Sequence, residues 1–397
     1  MKIAVLGAFG LMGEACLCDL AQSPSVTEVL AVDLNLKRQK QVLAKIKQRQ
    51  KIKVLNLNFM RDRKKALAAL QGVRALINCA WYELNLEVMD FAAALGAHYV
   101  DLGGLYHMTL KQLKKNSEFA KRGLYALVGC GSTPGITNMM VQSLAQEFSR
   151  VETVKILDAA YEPGNTAPGF LPPFSIRTML DETEKKAAVF EDGKMRFVEP
   201  FSAAEEIEFK PPIGTGTAVA ILHSELASLP DALKSKGLKN LYFKLVYAPK
   251  IKEQLELLVQ LGFSSQNPVR INGHELTPRN FITALAQQNA AGLPPETSSK
   301  DVEALRVDMT GEIGGKRAER RMDCYMRPTR TQSAGAIGVG FTASIMAQMV
   351  LEGKVVSPPG VYAPEAAFKA EVFFQELLKR KLFALESSSH PHRKAAP

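Results

Sequence analysis

The residues with the clearest chemical meaning are three glycines near the start of the chain, in the stretch Gly7-Ala8-Phe9-Gly10-Leu11-Met12-Gly13. This stretch follows an apolar run and opens a segment with helical periodicity. Glycines in this setting let the backbone turn tightly and approach a pyrophosphate, while the helix start offers free N–H groups and a positive dipole end. Asp33 ends the next apolar run, where a carboxylate accepts hydrogen bonds from a ribose. We therefore predict a dinucleotide site, with an ordinary glycine turn and a surface aspartate as the alternative.

The choice between NAD and NADP depends on the charges around Asp33. Its carboxylate should repel the 2′-phosphate of NADP, which favours NAD, although Lys37 and Arg38 lie close enough in sequence to leave NADP open. Two later apolar runs end in Asn78-Cys79-Ala80-Trp81 and Asp101-Leu102-Gly103-Gly104, and we expect the nicotinamide ring to lie over these ends. The predicted cofactor contacts are Gly7, Phe9, Gly10, Leu11, Met12, Gly13, Asp33, Ala80, Trp81 and Gly103, and we expect no metal.

If the substrate gives up its hydride from a carbon that bears an amine, that amine must be neutral, and the site then needs a proton acceptor. The chain offers six histidines. His107 lies just past the Asp101 segment, at the same predicted edge, and is our candidate base. We expect Tyr106 to share the proton transfer or simply to pack, and Asp101 to orient His107 or to bind a distal ammonium. A purely structural histidine is the alternative for His107.

Substrate carboxylates and ammonium groups need partners of opposite charge. The stretch from Gly129 to Asn138 contains a helix start with Thr133 as the expected N-cap, and a helix N-terminus is a natural seat for a carboxylate. On a later predicted helix, Arg177 should clamp a carboxylate bidentately, and Asp181 with Glu182 should hold an ammonium, with surface ion pairing as the alternative. The predicted substrate contacts are Thr133, Asn138, Arg177, Asp181, Thr217 and His223.

Short apolar runs alternate with segments of helical length over about the first 130 residues. This alternation predicts a parallel sheet covered on both faces, in a doubly wound Rossmann-type α/β domain. The six predicted strands are Lys2–Leu6, Val29–Val32, Val54–Leu57, Ala75–Asn78, His98–Asp101 and Tyr125–Val128. The predicted helices between them are Leu11–Ala21, Asn35–Lys51, Asp62–Gln71, Asn85–Leu95 and Thr109–Arg122.

The sequence pattern then becomes typical of β-hairpins, with turns predicted at Asp192-Gly193, Asn272-Gly273 and Gly314-Gly315. These predict a second, α+β domain with a mixed or antiparallel sheet. We divide the chain into a dinucleotide-binding domain (1–140), a second domain (150–332), C-terminal helices (333–385) and a disordered tail (386–397). The C-terminal helices are expected at Ala334–Glu352 and Pro364–Leu382.

The motifs GAFGLMG, DLGG and GCGSTPGITN, with HSELASLP and GVYAPE later in the chain, resemble those of the saccharopine dehydrogenase and reductase family, most closely the lysine 6-dehydrogenases. The resemblance covers most of residues 1–370. It implies a Rossmann domain, a second domain (150–332) for substrate binding and dimerisation, C-terminal helices (333–385) that pack back on the first domain, and a base at the His-x-Thr that begins with His107.

Composition excludes several other classes of protein. The chain has 397 residues, with 46% hydrophobic and 23% charged residues, which is typical of a soluble globular protein. No signal peptide or membrane span is expected, so we predict a cytoplasmic protein. The net charge of +10 is spread over several segments without interleaved aromatic residues, which argues against a nucleic-acid surface.

The expected function is an NAD-dependent, or NADP-dependent, oxidoreductase acting on a basic amino acid, most simply by oxidative deamination of the lysine side chain. The alternative reaction is oxidation or reductive formation of a saccharopine-like or carboxyspermidine-like secondary amine. A saccharopine site must hold three carboxylates and needs several arginines, whereas only Arg177, Arg327 and Arg330 lie near the motifs. A regulator that binds a dinucleotide without catalysis is the alternative of another class. A small amino-acid substrate and a homodimer are the expected partners.

Overall fold

The computed structural model describes residues 1–161, 176–291 and 300–390. These residues form two bodies, one built on a seven-stranded parallel sheet and the other on a nine-stranded mixed sheet. A two-stranded hairpin stands apart from both sheets.

The first body follows the predicted alternation of strand and helix. Its elements are β1 (Lys2–Leu6), α1 (Leu11–Gln22), β2 (Glu28–Asp33), α2 (Gln39–Lys45), β3 (Ile52–Asn56), α3 (Arg63–Ala69), β4 (Ala75–Asn78), α4 (Asn85–Leu95), β5 (His98–Asp101), α5 (Leu105–Leu113), α6 (Asn116–Lys121), β6 (Tyr125–Leu127) and α7 (Ile136–Glu147).

Two of the helix predictions in this body were wrong in extent. The single helix predicted over Asn35–Lys51 is α2 followed by a short 3₁₀ turn at Arg49–Lys51. The single helix predicted over Thr109–Arg122 is two helices, α5 and α6. The first residue of α6, Asn116, accepts the backbone N–H of Val361 at 2.8 Å, so the start of this helix is held by a later part of the chain.

The strand order β3-β2-β1-β4-β5-β6 is that of a Rossmann-type doubly wound sheet, and all the pairings are parallel. Ile3, Ala4 and Val5 of the central strand β1 are fully buried, as expected for a strand with helices on both faces. The order reverses between β1 and β4. Ligands of open α/β sheets bind outside the carboxyl ends of strands at such a reversal.

The second body is an α+β domain, as predicted. Its elements are β7 (Arg150–Tyr161), α8 (Ile176–Glu184), β8 (Ala187–Glu191), β9 (Lys194–Val198), β10 (Glu205–Glu208), β11 (Thr215–Ala220), α9 (Leu229–Ala232), β12 (Asn240–Tyr247), α10 (Pro249–Gln260), β13 (Val269–Ile271), β14 (His274–Leu276), α11 (Pro278–Ala291), β15 (Val302–Ile313) and β16 (Lys316–Met326).

The three predicted hairpins are present as β8–β9, β13–β14 and β15–β16. Both residues of each turn have positive φ, for example 50° at Asn272 and 83° at Gly273. Turns of this kind match the twist of the flanking strands. The sheet is mixed because β12 pairs with β7 in parallel while its other pairings are antiparallel.

One face of the nine-stranded sheet packs against the first body. Ile156 of β7, Phe243 of β12 and Val307 of β15 belong to the same buried cluster as residues of α1 and α7. Strand residues alternate between faces, so Asp158, two positions after Ile156, also points toward the first body. The shared core therefore places the inner face of the second sheet at the domain boundary.

The last part of the chain returns to both bodies. It comprises α12 (Ala334–Leu351), β17 (Gly360–Tyr362), α13 (Pro364–Ala367), α14 (Ala370–Leu378) and β18 (Phe383–His390). β17 pairs with β6 at the edge of the first sheet, and β18 pairs with β16 at the edge of the second. Helix α12 is long and apolar enough to span a membrane, but 83% of it is buried inside the protein, where it packs against α1.

Two predictions for this part of the chain need correction. Pro364–Leu382 is two short helices rather than one. The segment predicted to be disordered from residue 386 belongs in part to β18, because Glu386 to His390 pair with β16 through backbone hydrogen bonds. An open strand edge supplies such bonds without any apolar side chain, which is why the polar composition misled the prediction. Residues 391–397 lie outside the described residues.

The contact between α12 and α1 provides a test of the fold. A Cβ atom added at Gly340 would lie 2.6 Å from the backbone oxygen of Met12 and 2.7 Å from the Cβ of Ala15. We expect Gly340→Ala to lower the free energy of unfolding by about 1–3 kcal/mol, as overpacking does, despite the better helix propensity of alanine. Urea denaturation would measure this change. In the control Gly335→Ala on the same helix, the added atom meets only a side-chain oxygen of Glu303, at 3.0 Å. Equal stability of the two variants would contradict the prediction.

Candidate active site

The glycine loop after β1 forms an open backbone cradle. Gly7 has φ of +68°, and a Cβ there would lie 2.8 Å from the backbone oxygen of Cys79. A Cβ at Gly13 would lie 2.2 Å from the oxygen of Gly7. No side chain caps the start of α1 at Gly10 within the described part of the chain, so N–H groups of the first turn remain available. The loop therefore fits a pyrophosphate group.

Asp33, at the end of β2, lies against this loop. Its carboxylate accepts the backbone N–H groups of Phe9 and Asn35, both at 2.9 Å. Arg38 donates to the carbonyl oxygen of Phe9 at 2.8 Å and forms an ion pair with the buried Glu14 at 2.7 Å. Both oxygens of Asp33 thus accept backbone N–H groups beside the glycine loop, and Arg38 lies next to the same loop.

Residues of the two bodies meet at the carboxyl end of β4. The guanidinium carbon of Arg177 lies 3.4 Å from the ring centroid of Trp81, in a cation–π contact. Trp81 Nε1 and Arg177 Nε are both buried and have no hydrogen-bond partner among the described residues. Buried donors of this kind usually have partners, so these two are available to a ligand. Of the other predicted cofactor contacts, Ala80 and Gly103 lie at the same edge, and Leu11, 60% exposed, lies at the start of α1.

Asp101 does not orient His107, which was the first of the two roles predicted for it. Its carboxylate is fully buried and accepts hydrogen bonds from Tyr99, Gln112 and the backbone N–H groups of Gly103 and Gly129. Burial raises the pKa of Asp101, while these hydrogen bonds oppose the increase. The residue therefore joins the ends of β5 and β6, since all four bonds come from groups other than His107.

His107 lies on the exposed side of α5 rather than beside Asp101. Its ring stacks near Phe197 of the second body, with 6.1 Å between centroids, and Tyr106 meets both rings edge-on. Partial burial and the positive charges of Lys185 and Lys111 lower the pKa of His107. Tyr106 is buried, which raises the pKa of its hydroxyl. The role of His107 as a base stays a prediction.

The helix start at Gly129 to Asn138 also differs from the prediction. Helix α7 begins at Ile136 with Gly135 as the N-cap, so Thr133 does not cap it. The Asn138 side chain accepts the N–H of Gly135 at 3.1 Å and donates to Glu365 at 2.8 Å, so this amide is used inside the protein rather than facing a substrate. Gly135 has φ of +135°, a conformation that only glycine adopts readily. Because Gly135 is not helical, the helix begins at Ile136 rather than directly after Thr133.

Thr133 instead connects the two bodies. Its hydroxyl donates to Asp158 of β7 at 2.9 Å. One turn later, the hydroxyl of Thr137 donates to Glu225 at 3.1 Å, and Glu225 in turn contacts His223 Nδ1. The start of α7 therefore holds two carboxylates of the second body.

A cluster of four titratable side chains lies at this boundary, which we call the acidic cluster: Asp158, Glu182, His223 and Glu225. Glu182, His223 and Glu225 are buried, and Asp158 retains some exposed surface. His223 Nε2 lies 4.0 Å from Glu182 Oε1, and its ring stacks on Phe243 with 3.9 Å between centroids. Glu182 Oε2 has no hydrogen-bond partner among the described residues.

Burial dominates the electrostatics of the cluster. It raises the pKa of Glu182 to about 8 and that of Asp158 to about 6, while the charge of His223 opposes both increases. Burial lowers the pKa of His223, but the carboxylates of Glu225, Glu182 and Asp158 outweigh that effect, so its pKa is raised. Three carboxylates thus share one histidine, so a further positive charge would be favourable in the cluster.

Asp181 does not face this cluster. Its carboxylate forms an ion pair with the buried Arg279 of α11 and accepts the hydroxyl of Tyr82 at 3.0 Å, so it is not free to bind an ammonium. Thr217 pairs across β11 and β12 with Tyr247, whose hydroxyl is buried without a partner in the described part of the chain. Glu182 and Asp158 add to the burial that raises the pKa of Tyr247.

The sequence did not reveal Asp158, Glu225 or Tyr247 as site residues. A weak signal existed for Asp158, which is a polar residue at an inward position of an otherwise apolar alternation in β7. Glu225 follows His223 by two positions. Tyr247 carries no such signal, since aromatic residues are common in strands.

A Rossmann-type sheet with a glycine loop, a terminal Asp33 and a second domain over the same edge defines an NAD(P)-dependent dehydrogenase. The comparisons with known proteins agree. Residues 3–127 match the family described as saccharopine dehydrogenase NADP binding domain, and residues 131–382 match the saccharopine dehydrogenase C-terminal domain. The chain belongs to the saccharopine dehydrogenase family.

A curated relative, carboxyaminopropylagmatine dehydrogenase of Synechocystis sp., is 25% identical over 298 residues, which are 73% of each chain. Saccharopine dehydrogenase (L-Glu forming) of Saccharomyces cerevisiae has a TM-score of 0.75 at 15% identity, covering 98% of this chain and 100% of that one. Homospermidine synthase of Legionella pneumophila, solved with NAD, has a TM-score of 0.67 at 13% identity, covering 100% and 94%. The two structures share the fold.

The position of Asp33 predicts a preference for NAD. Asp33→Ala should weaken NAD binding by about 10- to 100-fold, the usual range for losing hydrogen bonds to a charged group, and should not weaken NADP. Calorimetric titration with each cofactor would measure both effects. Arg38→Ala in the Asp33→Ala background is the control, since it should weaken NADP more than NAD. Equal or tighter NADP binding by the unaltered protein would contradict the preference.

Proposed function

We propose that this enzyme acts on a secondary amine that carries a carboxylate and at least one further cationic nitrogen. The enzyme oxidises this amine or forms it by reduction. The observation that carries this proposal is the acidic cluster. Its carboxylates are desolvated and have only His223 as a positive neighbour among the charges that most affect Asp158 and Glu182. A cationic substrate group would supply the missing charge.

The arginines support one carboxylate rather than three. Arg177 has an unpartnered Nε beside Trp81 at the domain boundary. Arg327 and Arg330 are exposed, and the buried Arg279 is already paired with Asp181 and Glu184. A substrate with three carboxylates would lack partners here, so saccharopine itself fits this site less well than a carboxylated polyamine-like molecule.

The relatives point in the same direction. The Synechocystis enzyme is named for carboxyaminopropylagmatine and the Legionella enzyme for homospermidine, and both compounds are secondary amines with further basic nitrogens. Similarity at these levels of identity does not carry a substrate across by itself. It agrees with the charge pattern of the acidic cluster, which is the independent argument.

We assign the residues roles consistent with this reaction. The loop from Gly7 to Gly13 would hold the pyrophosphate of the dinucleotide, and Asp33 its ribose. Bound NAD⁺ or NADP⁺ supplies the acceptor for the hydride of the carbon next to the amine nitrogen. Arg177 orients the carboxylate, the acidic cluster holds the nitrogen end, and the contact of α8 with Trp81 keeps water away from the reacting carbon.

Deamination of the lysine side chain is the second candidate. It is favoured by the same count of charges, because lysine has one carboxylate for Arg177 and a second ammonium for the acidic cluster. The two candidates differ in whether the reacting nitrogen joins two carbon chains.

A spectrophotometric screen distinguishes these candidates. Lysine, saccharopine, carboxynorspermidine and carboxyaminopropylagmatine would each be offered with NAD⁺ and NADP⁺, and reduction of the nicotinamide followed by its absorbance. We expect turnover with a carboxylated polyamine-like secondary amine. Turnover with lysine alone would support the second candidate, and turnover with saccharopine alone would contradict the charge argument.

Arg177 is expected to contribute mainly to substrate binding. A clamp that acts equally in the ground state and the transition state affects KM rather than kcat. Arg177→Ala should raise KM by about 10- to 100-fold, as expected for the loss of a hydrogen bond to a charged group. Arg177→Lys keeps the charge without the planar fork and should recover only part of the loss. A tenfold lower kcat with unchanged KM would contradict this role.

We also propose that the enzyme is a homodimer formed through its second sheet. β10 and β18 end that sheet on either side, and open strand edges pair readily unless they are covered. Twofold symmetric pairing is the commonest arrangement of soluble oligomers. Sedimentation equilibrium at micromolar concentration should give twice the chain mass of 43.5 kDa, and a monomer would refute the dimer.

A further inference from the structure

We propose that Glu182 is the proton acceptor for the substrate amine and that His223, fixed by Glu225, is its positioning partner. This inference rests on the proposed amine substrate, but it concerns a different question, namely which side chain takes the proton. It replaces His107, the base predicted from sequence, with a carboxylate of the second domain.

The first argument is the unsatisfied oxygen of Glu182. Oε2 is buried and has no hydrogen-bond partner among the described residues, while Oε1 faces His223 Nε2. A buried carboxylate oxygen without a donor is costly, so a donor that arrives with the substrate removes that cost. A secondary ammonium ion carries N–H donors suited to this oxygen. Arg177, the proposed carboxylate clamp, lies on the same helix, five residues earlier.

The second argument is that His223 has only one orientation available. Nδ1 contacts Glu225, the ring stacks on Phe243 with an interplanar angle of 9°, and Glu225 is held by the hydroxyl of Thr137 from the first body. With Nδ1 occupied, Nε2 must face Glu182. The imidazole therefore lowers the pKa of Glu182 without changing its own orientation.

Titratable groups of several elements interact electrostatically with Glu182, while Arg279 of α11, which also packs against α8, is paired with Asp181 and Glu184. Asp181 lies on its own helix, Asp158 comes from β7, His223 and Glu225 come from the segment before α9, and Tyr247 comes from β12. Burial and the neighbouring carboxylates keep the pKa of Glu182 near 8, and His223 is the group that lowers it. A carboxylate tuned in this way is a stronger base than an ordinary glutamate.

The step is a proton transfer with a simple balance. The substrate enters as a secondary ammonium ion, one N–H bond breaks, and one O–H bond forms at Glu182 Oε2. The electron pair stays on nitrogen, so the amine is neutral when the neighbouring carbon loses its hydride to NAD(P)⁺, the oxidant of this enzyme class.

The expected pH dependence of kcat/KM follows from the ionisation state in which Glu182 can accept a proton. Only the ionised carboxylate accepts a proton, so kcat/KM should rise with pH and level off above about 8. Glu182→Gln should remove that rise and lower kcat by about 10²- to 10⁴-fold, the range for loss of a general base. Cofactor affinity should not change. Glu184→Gln, the same chemical change two residues further along the helix, is the matched control and should keep the wild-type profile.

His223→Gln tests the positioning role. Removing the histidine removes the charge that lowers the pKa of Glu182, so the rise should remain but move to higher pH. A histidine that only fills space would leave the midpoint where it was. An unchanged midpoint in His223→Gln would therefore overturn the positioning role.

A second measurement does not depend on turnover. Infrared difference spectroscopy of the full-length protein should show a protonated carboxyl band that titrates near pH 8 in the wild type and is missing in Glu182→Gln. Absence of such a band in the wild type would overturn the proposal. So would a wild-type profile in Glu182→Gln, and loss of the rise in His107→Ala would then return the role to His107. If the wild-type enzyme turns over none of the screened amines, the proposed function is refuted instead. The infrared measurement still decides whether Glu182 is protonated.

Discussion

The hydrogen bonds accepted by the buried carboxylate of Asp101 shape the edge of the sheet on which the site depends. They join the ends of β5 and β6 through Gly103 and Gly129. The Gly129 turn leads to the start of α7, whose Thr133 and Thr137 hold Asp158 and Glu225 of the second body. One buried carboxylate therefore helps to set the positions of residues in the acidic cluster. Its cost of burial is offset by four donors, which is the usual condition for keeping a charge inside a protein.

Some buried charged groups of this protein have partners of opposite charge, whereas others, at the candidate site, have incomplete sets of partners. Arg306 and Asp323 on the second sheet form a paired, buried ion pair, and Arg279 is buried with two carboxylates around it. Glu182 of the acidic cluster and its neighbour Tyr247 lack such compensation, because each has a buried oxygen without a hydrogen-bond partner among the described residues. A ligand that supplied a donor there would remove the cost of leaving these oxygens unpaired.

How far the sequence could predict this protein depended on how local each signal was. The glycine loop, Asp33 and the hairpins at Asp192-Gly193 and Asn272-Gly273 depend on backbone conformations encoded by neighbouring residues, and all of them lie where the local pattern placed them. The strand β18 depends on the free edge of a strand sixty residues earlier, and its polar residues carry no local sign of it. The acidic cluster combines residues of β7, α8 and the His223 segment, so only the tertiary structure could reveal it. The sequence placed Asp101 correctly at the edge of the sheet, but the predicted contact with His107 was wrong. Sequence does not reveal which donors surround a buried carboxylate.

The pairing of β17 with the first sheet and of β18 with the second has a consequence for biosynthesis. Domains of large proteins generally fold as units as they emerge from the ribosome, the earlier one first. Here the edge of the earlier sheet is completed by residues 360–362 and the edge of the later sheet by residues 383–390, all of which follow both domains in the chain. Helix α12, which covers α1, is also made after them. Neither domain can reach its final form while the chain is still being extended through residue 334, so the nascent protein exposes two unfinished sheets at once and completes them nearly together.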